Sequence, residues 1–114
     1  MKILGKVVKG RGAGRALGFP TANLELPNLP GLEKGIFLAE TLYRGKIYKS
    51  LAVIGVAKEF EVWLLDFNGD LYSEILEVQL GQKISEVEIF ENNEKLINKI
   101  QEDIKKAKKI WGRP

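Results

Sequence analysis

Alternating glycines and two arginines near the start of the chain form a pattern suited to phosphate binding. The residues are Gly10, Gly12, Gly14, Arg11 and Arg15. Glycine lets the backbone approach a ligand closely and aim its N–H groups at an anion, and arginine donates paired hydrogen bonds to phosphate oxygens. No Gly-Lys-Ser/Thr ending follows, so this is not a Walker A loop. Taken alone, the stretch is also typical of a flexible turn between strands.

The segment that follows carries oxygen atoms suited to a metal–phosphate complex. Pro20 restricts the backbone, and Thr21 and Asn23 are two positions apart, which puts them on one side of any extended chain. Hydroxyl and carboxamide oxygens beside bound phosphates suit Mg²⁺, which takes many of its ligands from substrate and water. Threonine and asparagine after proline also build ordinary turns. Together with the glycines, however, the pair indicates magnesium–nucleotide chemistry.

The composition excludes several kinds of active site. The chain has no cysteine and no histidine, which rules out disulfides, thiolate metal sites, typical zinc sites and histidine acid–base catalysis. Any general base must therefore be a carboxylate, a lysine or a tyrosine. The lack of cysteine is compatible with a reducing compartment, and we expect a cytoplasmic protein.

The basic charge is unevenly distributed along the chain. The sequence pI is about 9.1, but residues 105–114 hold five basic groups and no acid, and the rest of the chain is slightly acidic. Lysines at the end of a helix are favoured by its dipole. We therefore predict no nucleic-acid partner.

No apolar run approaches the roughly 20 residues of a membrane helix, so we predict no membrane partner either.

The hydrophobic pattern predicts one domain, residues 1–114, with mainly β structure. Residues 3–9 read as a first strand, and residues 36–43 and 46–54 flank the turn signal Arg44-Gly45. A second hairpin is predicted to join residues 61–67 to residues 71–80 through Asn68-Gly69. Short connections of this kind favour a small closed antiparallel barrel.

The end of the chain has a helical period instead. Apolar residues recur there at intervals of three and four, as in an amphipathic helix packed on a core. They are Leu96, Ile97, Ile100, Ile104, Ala107 and Trp111. Asn92 or Asn93 can cap this C-terminal helix.

Two sequence blocks resemble the ATP-dependent riboflavin kinases, which in bacteria usually form the C-terminal half of a bifunctional FAD synthetase. The first runs from Gly10 through Gly18-Phe19-Pro20-Thr21-Ala22-Asn23, and the second from Glu61 to Tyr72. The resemblance implies a barrel of about six strands with a C-terminal helix. It also implies that the γ-phosphate of ATP passes to riboflavin, giving FMN, with Mg²⁺ required.

The resemblance assigns roles to individual residues. Glu61 matches the catalytic glutamate that takes the proton of the ribityl 5′-hydroxyl. Thr21 and Asn23 match the positions at the metal. The residues that match the nucleotide-binding positions are Gly10, Gly12, Gly14, Arg15, Gly18, Pro20, Thr21 and Asn23.

The chain departs from the family pattern at several positions. The segment before Glu61 is short, which makes Glu59 a competing candidate for the base. The arginine of the flavin side is absent, and Lys83 could replace its charge but not its planar fork. Trp63 stands where the bacterial pattern usually has histidine, and Ser73 where glycine is usual.

The sequence therefore predicts a monomeric riboflavin kinase with small-molecule substrates. The alternative from another class is a non-catalytic flavin- or nucleotide-binding module on the same barrel. A nucleic-acid-binding barrel has only the pI in its favour, because the sequence shows no interleaved aromatics of the kind that stack on bases.

Overall fold

In the part of the chain that the structure describes, the fold is a six-stranded barrel and one helix. The computed structural model describes residues 2–8, 21–25, 32–55, 60–67, 69–87 and 93–112. The elements are β1 (Lys2–Val8), β2 (Thr21–Glu25), β3 (Gly35–Tyr43), β4 (Lys46–Ile54), β5 (Phe60–Leu64), β6 (Ile75–Ser85) and α1 (Asn93–Trp111). All neighbouring strands are antiparallel, and they close in the order β1-β2-β5-β4-β3-β6. The predicted barrel with a C-terminal helix is confirmed.

Alternating side chains give the barrel an inner and an outer face. Along β1, Ile3, Gly5 and Val7 are buried while the residues between them are exposed, as the two-residue period of a strand requires. One apolar cluster fills the interior, and its strand members are Ile3, Val7, Ala22, Leu24, Phe37, Ala39, Ala52, Ile54, Phe60, Val62, Leu64, Leu76 and Val78. The site residues described below therefore depend on which face each strand position occupies.

The hairpin predicted around Arg44-Gly45 is present. β3 and β4 pair along their whole length, with Tyr43 opposite Lys46. Arg44 and Gly45 both have positive φ, 48° and 78°, as a two-residue type I′ turn demands. The turn fits the right-handed twist of the strands, and this long hairpin forms one wall of the barrel.

The second predicted hairpin is wrong. β5 pairs with β2 and β4, whereas β6 pairs with β1 and β3, so the chain crosses the barrel end between them. Asp66 and Ser73 take positive φ along this crossing, and Leu71 inserts into the interior cluster. The sequence around Gly69 favours a turn, but β5 and β6 pair with other strands because those pairings close the barrel and leave no open edge.

Helix α1 lies against the outer face of the barrel. Its residues Ile100, Ile104 and Ala107 are buried in a second apolar cluster, as their spacing predicts. The barrel side of this cluster is formed by Ile36, Leu38, Leu51, Trp63 and Ile84. No helix in the described ranges combines the length and the apolar character needed to cross a lipid bilayer.

Polar contacts fix the helix to the end of β6. The Lys106 ammonium donates to the Ile84 carbonyl at 2.9 Å. Lys99 donates to Ser85 and, at 3.2 Å, to the carboxylate of Asp103, which is only 2% exposed. A buried carboxylate needs a compensating partner, and Lys99 supplies it from the preceding turn of α1. The bonds of Lys99 to Ser85 and of Lys106 to Ile84 hold α1 against β6.

Lys83 on β6 links two carboxylates. Its ammonium lies 2.6 Å from Glu33 Oε1 and 2.9 Å from Glu86 Oε1. The hydrogen bond from Lys83 lowers the pKa of Glu86 below its ordinary 4.5. Hydrogen bonds to Glu33 and then Glu86 raise the pKa of Lys83 above its ordinary 10.5. The positive charge of Lys83 is thus balanced within the protein.

We expect the buried Thr41–Ser50 pair to show strong coupling. The two hydroxyl oxygens are 2.8 Å apart and both residues are fully buried. Thr41→Val or Ser50→Ala alone leaves a buried hydroxyl unpaired and should lower the free energy of unfolding by about 1–3 kcal/mol. Urea denaturation of the double variant should give a loss smaller than the sum of the single losses. Additive losses would mean that the hydroxyls do not pair.

The Lys83 network predicts a pH-dependent stability. The lowered pKa of Glu86 contributes stability above its ordinary value of 4.5, and this is lost as pH falls through the folded value. The raised pKa of Lys83 contributes below 10.5 and is lost as pH rises through the folded value. Lys83→Met should therefore lower the Tm at pH 7, and the difference from wild type should shrink towards pH 3. Lys49→Met, which removes a 3.9 Å surface pair with Glu40, is the control. An equal Tm difference for Lys83→Met at both pH values would contradict the prediction.

Candidate functional site

The pairing of β2 with β5 brings two predicted site residues together. Asn23 lies directly opposite Glu61, and Thr21 lies opposite Trp63. Directly paired residues of antiparallel strands have Cβ atoms about 4.5–5.5 Å apart. An amide and a carboxylate separated in sequence by the β3–β4 hairpin are therefore neighbours.

Both residues are on the outer face of the barrel. Ala22 and Val62, which alternate with them along β2 and β5, are fully buried in the interior cluster. The alternation turns Asn23 and Glu61 the other way, and both are half-buried. A polar pair is thus available to a ligand on the outside of a barrel whose inside is filled by apolar side chains.

Trp63 contacts the Glu61 carboxylate directly. Its indole Nε1 donates to Oε1 of Glu61, with 2.5 Å between the two atoms. The two residues are two positions apart on β5 and so share the outer face. Trp63 is only 5% exposed, because it packs in the apolar cluster that residues of α1 cover. The carboxylate therefore lies at the boundary between the helix-covered surface and the open surface.

Several predicted site residues lie outside the described part of the chain. These are Gly10, Gly12, Gly14, Arg15, Gly18 and Pro20, and the competing base Glu59 is another. For Thr21 only the backbone is described, at the first position of β2. The described part of the predicted site therefore consists of the Thr21 backbone, Asn23 and Glu61.

The donor set suits Mg²⁺ held together with a phosphate group. Asn23 offers a carboxamide oxygen, Glu61 a carboxylate and Thr21, by its residue type, a hydroxyl. No group of three or more carboxylates, histidines or cysteines within the described residues could hold a metal by itself. Magnesium sites completed by substrate oxygens need few protein ligands, so the residues present fit such a site.

An open groove adjoins the site on the outer face of the barrel. It has a volume of about 420 Å³ and is lined by Leu4, Gly5, Lys6, Glu25 and Ile75. Lys6 is opposite both Glu25 and Ile75, and Glu25 is two positions from Asn23 on β2. Leu4 and Ile75 are 61% and 66% exposed, so the groove has accessible apolar walls.

Two features of the site could not be found from the sequence. The groove combines residues from β1, β2 and β6, and its exposed aliphatic side chains carry no motif. The Trp63–Glu61 contact has a weak signal, since residues i and i+2 of a strand share a face. That spacing predicts proximity, but the hydrogen bond also depends on how the indole packs in the cluster shared with α1.

A family model and curated relatives of the chain indicate the same family. A family model described as riboflavin kinase matches residues 1–111. The RNA-binding riboflavin kinase RibR of Bacillus subtilis is 36% identical over 110 residues, which cover 90% of this chain and 47% of that protein. The bifunctional riboflavin kinase/FMN adenylyltransferase of Haemophilus influenzae is 31% identical over 119 residues, which cover 97% of this chain and 39% of that protein. The chain thus spans less than half the length of these curated relatives.

A solved structure agrees in fold. The riboflavin kinase of Trypanosoma brucei superposes with a TM-score of 0.71 at 21% identity, over 99% of this chain and 78% of that one. Its likeness supports the barrel and its terminal helix. The family model matches nearly the whole chain, and the fold is the one that the two sequence blocks containing Asn23 and Glu61 imply. The chain belongs to the riboflavin kinase family.

Proposed function

We propose that the chain transfers the γ-phosphoryl group of ATP to the 5′-hydroxyl of riboflavin, giving FMN and ADP. The single observation that carries the proposal is the pairing of Asn23 with Glu61 across β2 and β5. It joins the two sequence blocks that resemble the family, one suited to a metal-bound phosphate and one supplying a base. A non-catalytic binding module would not need a carboxylate next to the phosphate-binding segment.

Glu61 is the proposed acceptor of the hydroxyl proton. The ribityl oxygen forms a bond to the γ-phosphorus, the bond from that phosphorus to the β–γ bridging oxygen breaks, and ADP leaves with the electron pair. The hydroxyl proton passes to the Glu61 carboxylate and then to solvent. A carboxylate is basic enough because phosphoryl transfer has a loose transition state in which the proton can leave late.

Asn23 and Thr21 are proposed to hold the phosphate end of ATP. Their neutral oxygens do not repel the phosphates, and their place opposite β5 orients the γ-phosphoryl group towards Glu61. Bound Mg²⁺ would neutralise charge on the phosphates. In a loose transition state, orientation of the reacting groups lowers the barrier more than the strength of the base does. The fixed β2–β5 pairing is therefore the main contribution of the protein to the rate.

The partners are proposed to be small molecules, with the chain acting as a monomer in the cytoplasm. The name of the Bacillus subtilis relative includes RNA binding, but that protein is more than twice as long as the matched region. Four lysines near the end of α1 are the main basic group in the described residues. They are Lys105, Lys106, Lys108 and Lys109. Retention of a single-stranded oligonucleotide that is lost at raised salt would contradict the small-molecule proposal.

The proposal predicts FMN formation that depends on a divalent cation. The purified chain is mixed with riboflavin, ATP and Mg²⁺, and the flavins are separated by chromatography. FMN should accumulate, and EDTA should abolish it. Binding of riboflavin without product would favour the non-catalytic module.

Glu61→Gln should remove most turnover and leave nucleotide binding intact. The amide keeps the size of the side chain and an oxygen that can accept from Trp63, but it cannot take a proton. A general base contributes about 10²–10⁴-fold to rate, so kcat should fall by roughly 100-fold or more while the Kd for ATP stays within about two-fold.

The matched control for this variant is Glu59→Gln, a change at the competing carboxylate. It should keep the wild-type kcat. Loss of turnover in Glu59→Gln together with a normal kcat in Glu61→Gln would transfer the role of base to Glu59.

A further inference from the structure

One contact at the site has no role yet, the hydrogen bond from the Trp63 indole to Glu61. We propose that Trp63 is a positioning residue that holds the Glu61 carboxylate in its reactive orientation. This inference rests on the proposed kinase function and deepens it. It assigns a role to a tryptophan at a position where the family pattern usually has histidine.

The contact is short, and the indole N–H can act only as a donor. The distance from Trp63 Nε1 to Glu61 Oε1 is 2.5 Å, and hydrogen bonds to ionised acceptors are shorter and stronger than neutral ones. An indole N–H donates and never accepts. It therefore orients the carboxylate without competing for the proton that Glu61 has to take.

Packing prevents the indole from turning away. Trp63 is 5% exposed and sits in the cluster between the barrel and α1. Leu51 is its cross-strand neighbour on β4, and Ile100 and Ile104 belong to the same cluster from the helix side. A large ring enclosed in this way has few rotamers available, so the direction of its N–H is fixed by the fold.

The orientation of the Glu61 carboxylate matters for the proposed reaction. Glu61 is half-buried, and a glutamate side chain has three rotatable bonds. A misplaced reacting group can cost about 100-fold in rate even when the displacement is only 1 Å. One strong hydrogen bond from a rigid donor removes much of that freedom before the substrate arrives.

Helix α1 is therefore part of the support for the base. Lys106 and Lys99 attach the helix to the end of β6 through the Ile84 carbonyl and the Ser85 hydroxyl, and the helix packs in the same cluster as Trp63. The chain of contacts runs from α1 to the indole and from the indole to Glu61. It explains how a helix on the outside of a barrel can matter for chemistry at the β2–β5 surface.

The kinetic test compares two substitutions of Trp63 in the full chain. Trp63→Phe keeps an aromatic ring but removes the donor, and it should lower kcat about ten-fold or more while changing the KM of ATP and of riboflavin less than about two-fold. Trp63→His restores an N–H donor and should recover part of kcat. Trp111→Phe changes the other tryptophan packed on the same cluster, which makes no bond to Glu61 in the described residues, and should keep the wild-type kcat.

An NMR measurement tests the same contact without altering Trp63. In Trp111→Phe protein, Trp63 is the sole tryptophan, so one indole ¹H–¹⁵N signal remains. The proton should resonate downfield, as expected for a donor to a carboxylate, and should move upfield when Glu61→Gln is added. An unchanged signal would overturn the proposal even if Trp63→Phe failed to fold.

The outcomes separate the two proposals. Wild-type protein that forms no FMN would overturn the kinase function and the positioning role with it. FMN formation with an unchanged kcat in Trp63→Phe would overturn the positioning role alone. Equal kcat losses in Trp63→Phe and Trp111→Phe would also overturn it, because they would indicate an effect of packing rather than of the donor.

Discussion

The register between β2 and β5 is the constraint on which the site depends. Ala22 is opposite Val62, and both are fully buried inside the barrel. A slip of one residue would turn these side chains outward and force Asn23 or Glu61 into the apolar interior. Burying an unpaired carboxylate costs far more than the slip could gain. The hydrophobic core thus sets the register, and the register sets Asn23 opposite Glu61.

The outer face of the barrel has a part covered by α1 and a part that is open to solvent. Helix α1 covers one part, where it buries an apolar cluster that includes Trp63. The remaining part carries Asn23 and, next to it, the open groove around Leu4 and Ile75. Glu61 lies at the boundary. This division lets a half-buried carboxylate contact a buried ring on one side while its other side faces the open surface.

The sequence predicted the elements better than their connections. The period of α1 identified Ile100, Ile104 and Ala107 as the buried stripe, and Arg44-Gly45 identified the β3–β4 turn, because both signals are local. The hairpin predicted between β5 and β6 was wrong for the opposite reason. A turn signal near Gly69 says that the chain reverses there, but it does not say which strand becomes the neighbour. Closure of the barrel gave β5 and β6 other partners.

The candidate site divides in the same way. Residue types alone restricted the base to a carboxylate, lysine or tyrosine, and the motifs singled out Thr21, Asn23 and Glu61. The sequence by itself thus determined the chemistry available, the β3–β4 hairpin and the terminal helix, since composition and period act over short distances. It did not identify β2, the strand that carries Thr21 and Asn23. Only the tertiary structure decided that Asn23 meets Glu61 and that an indole N–H donates to the carboxylate. Those contacts join distant parts of the chain, and they follow from how the core packs and the barrel closes.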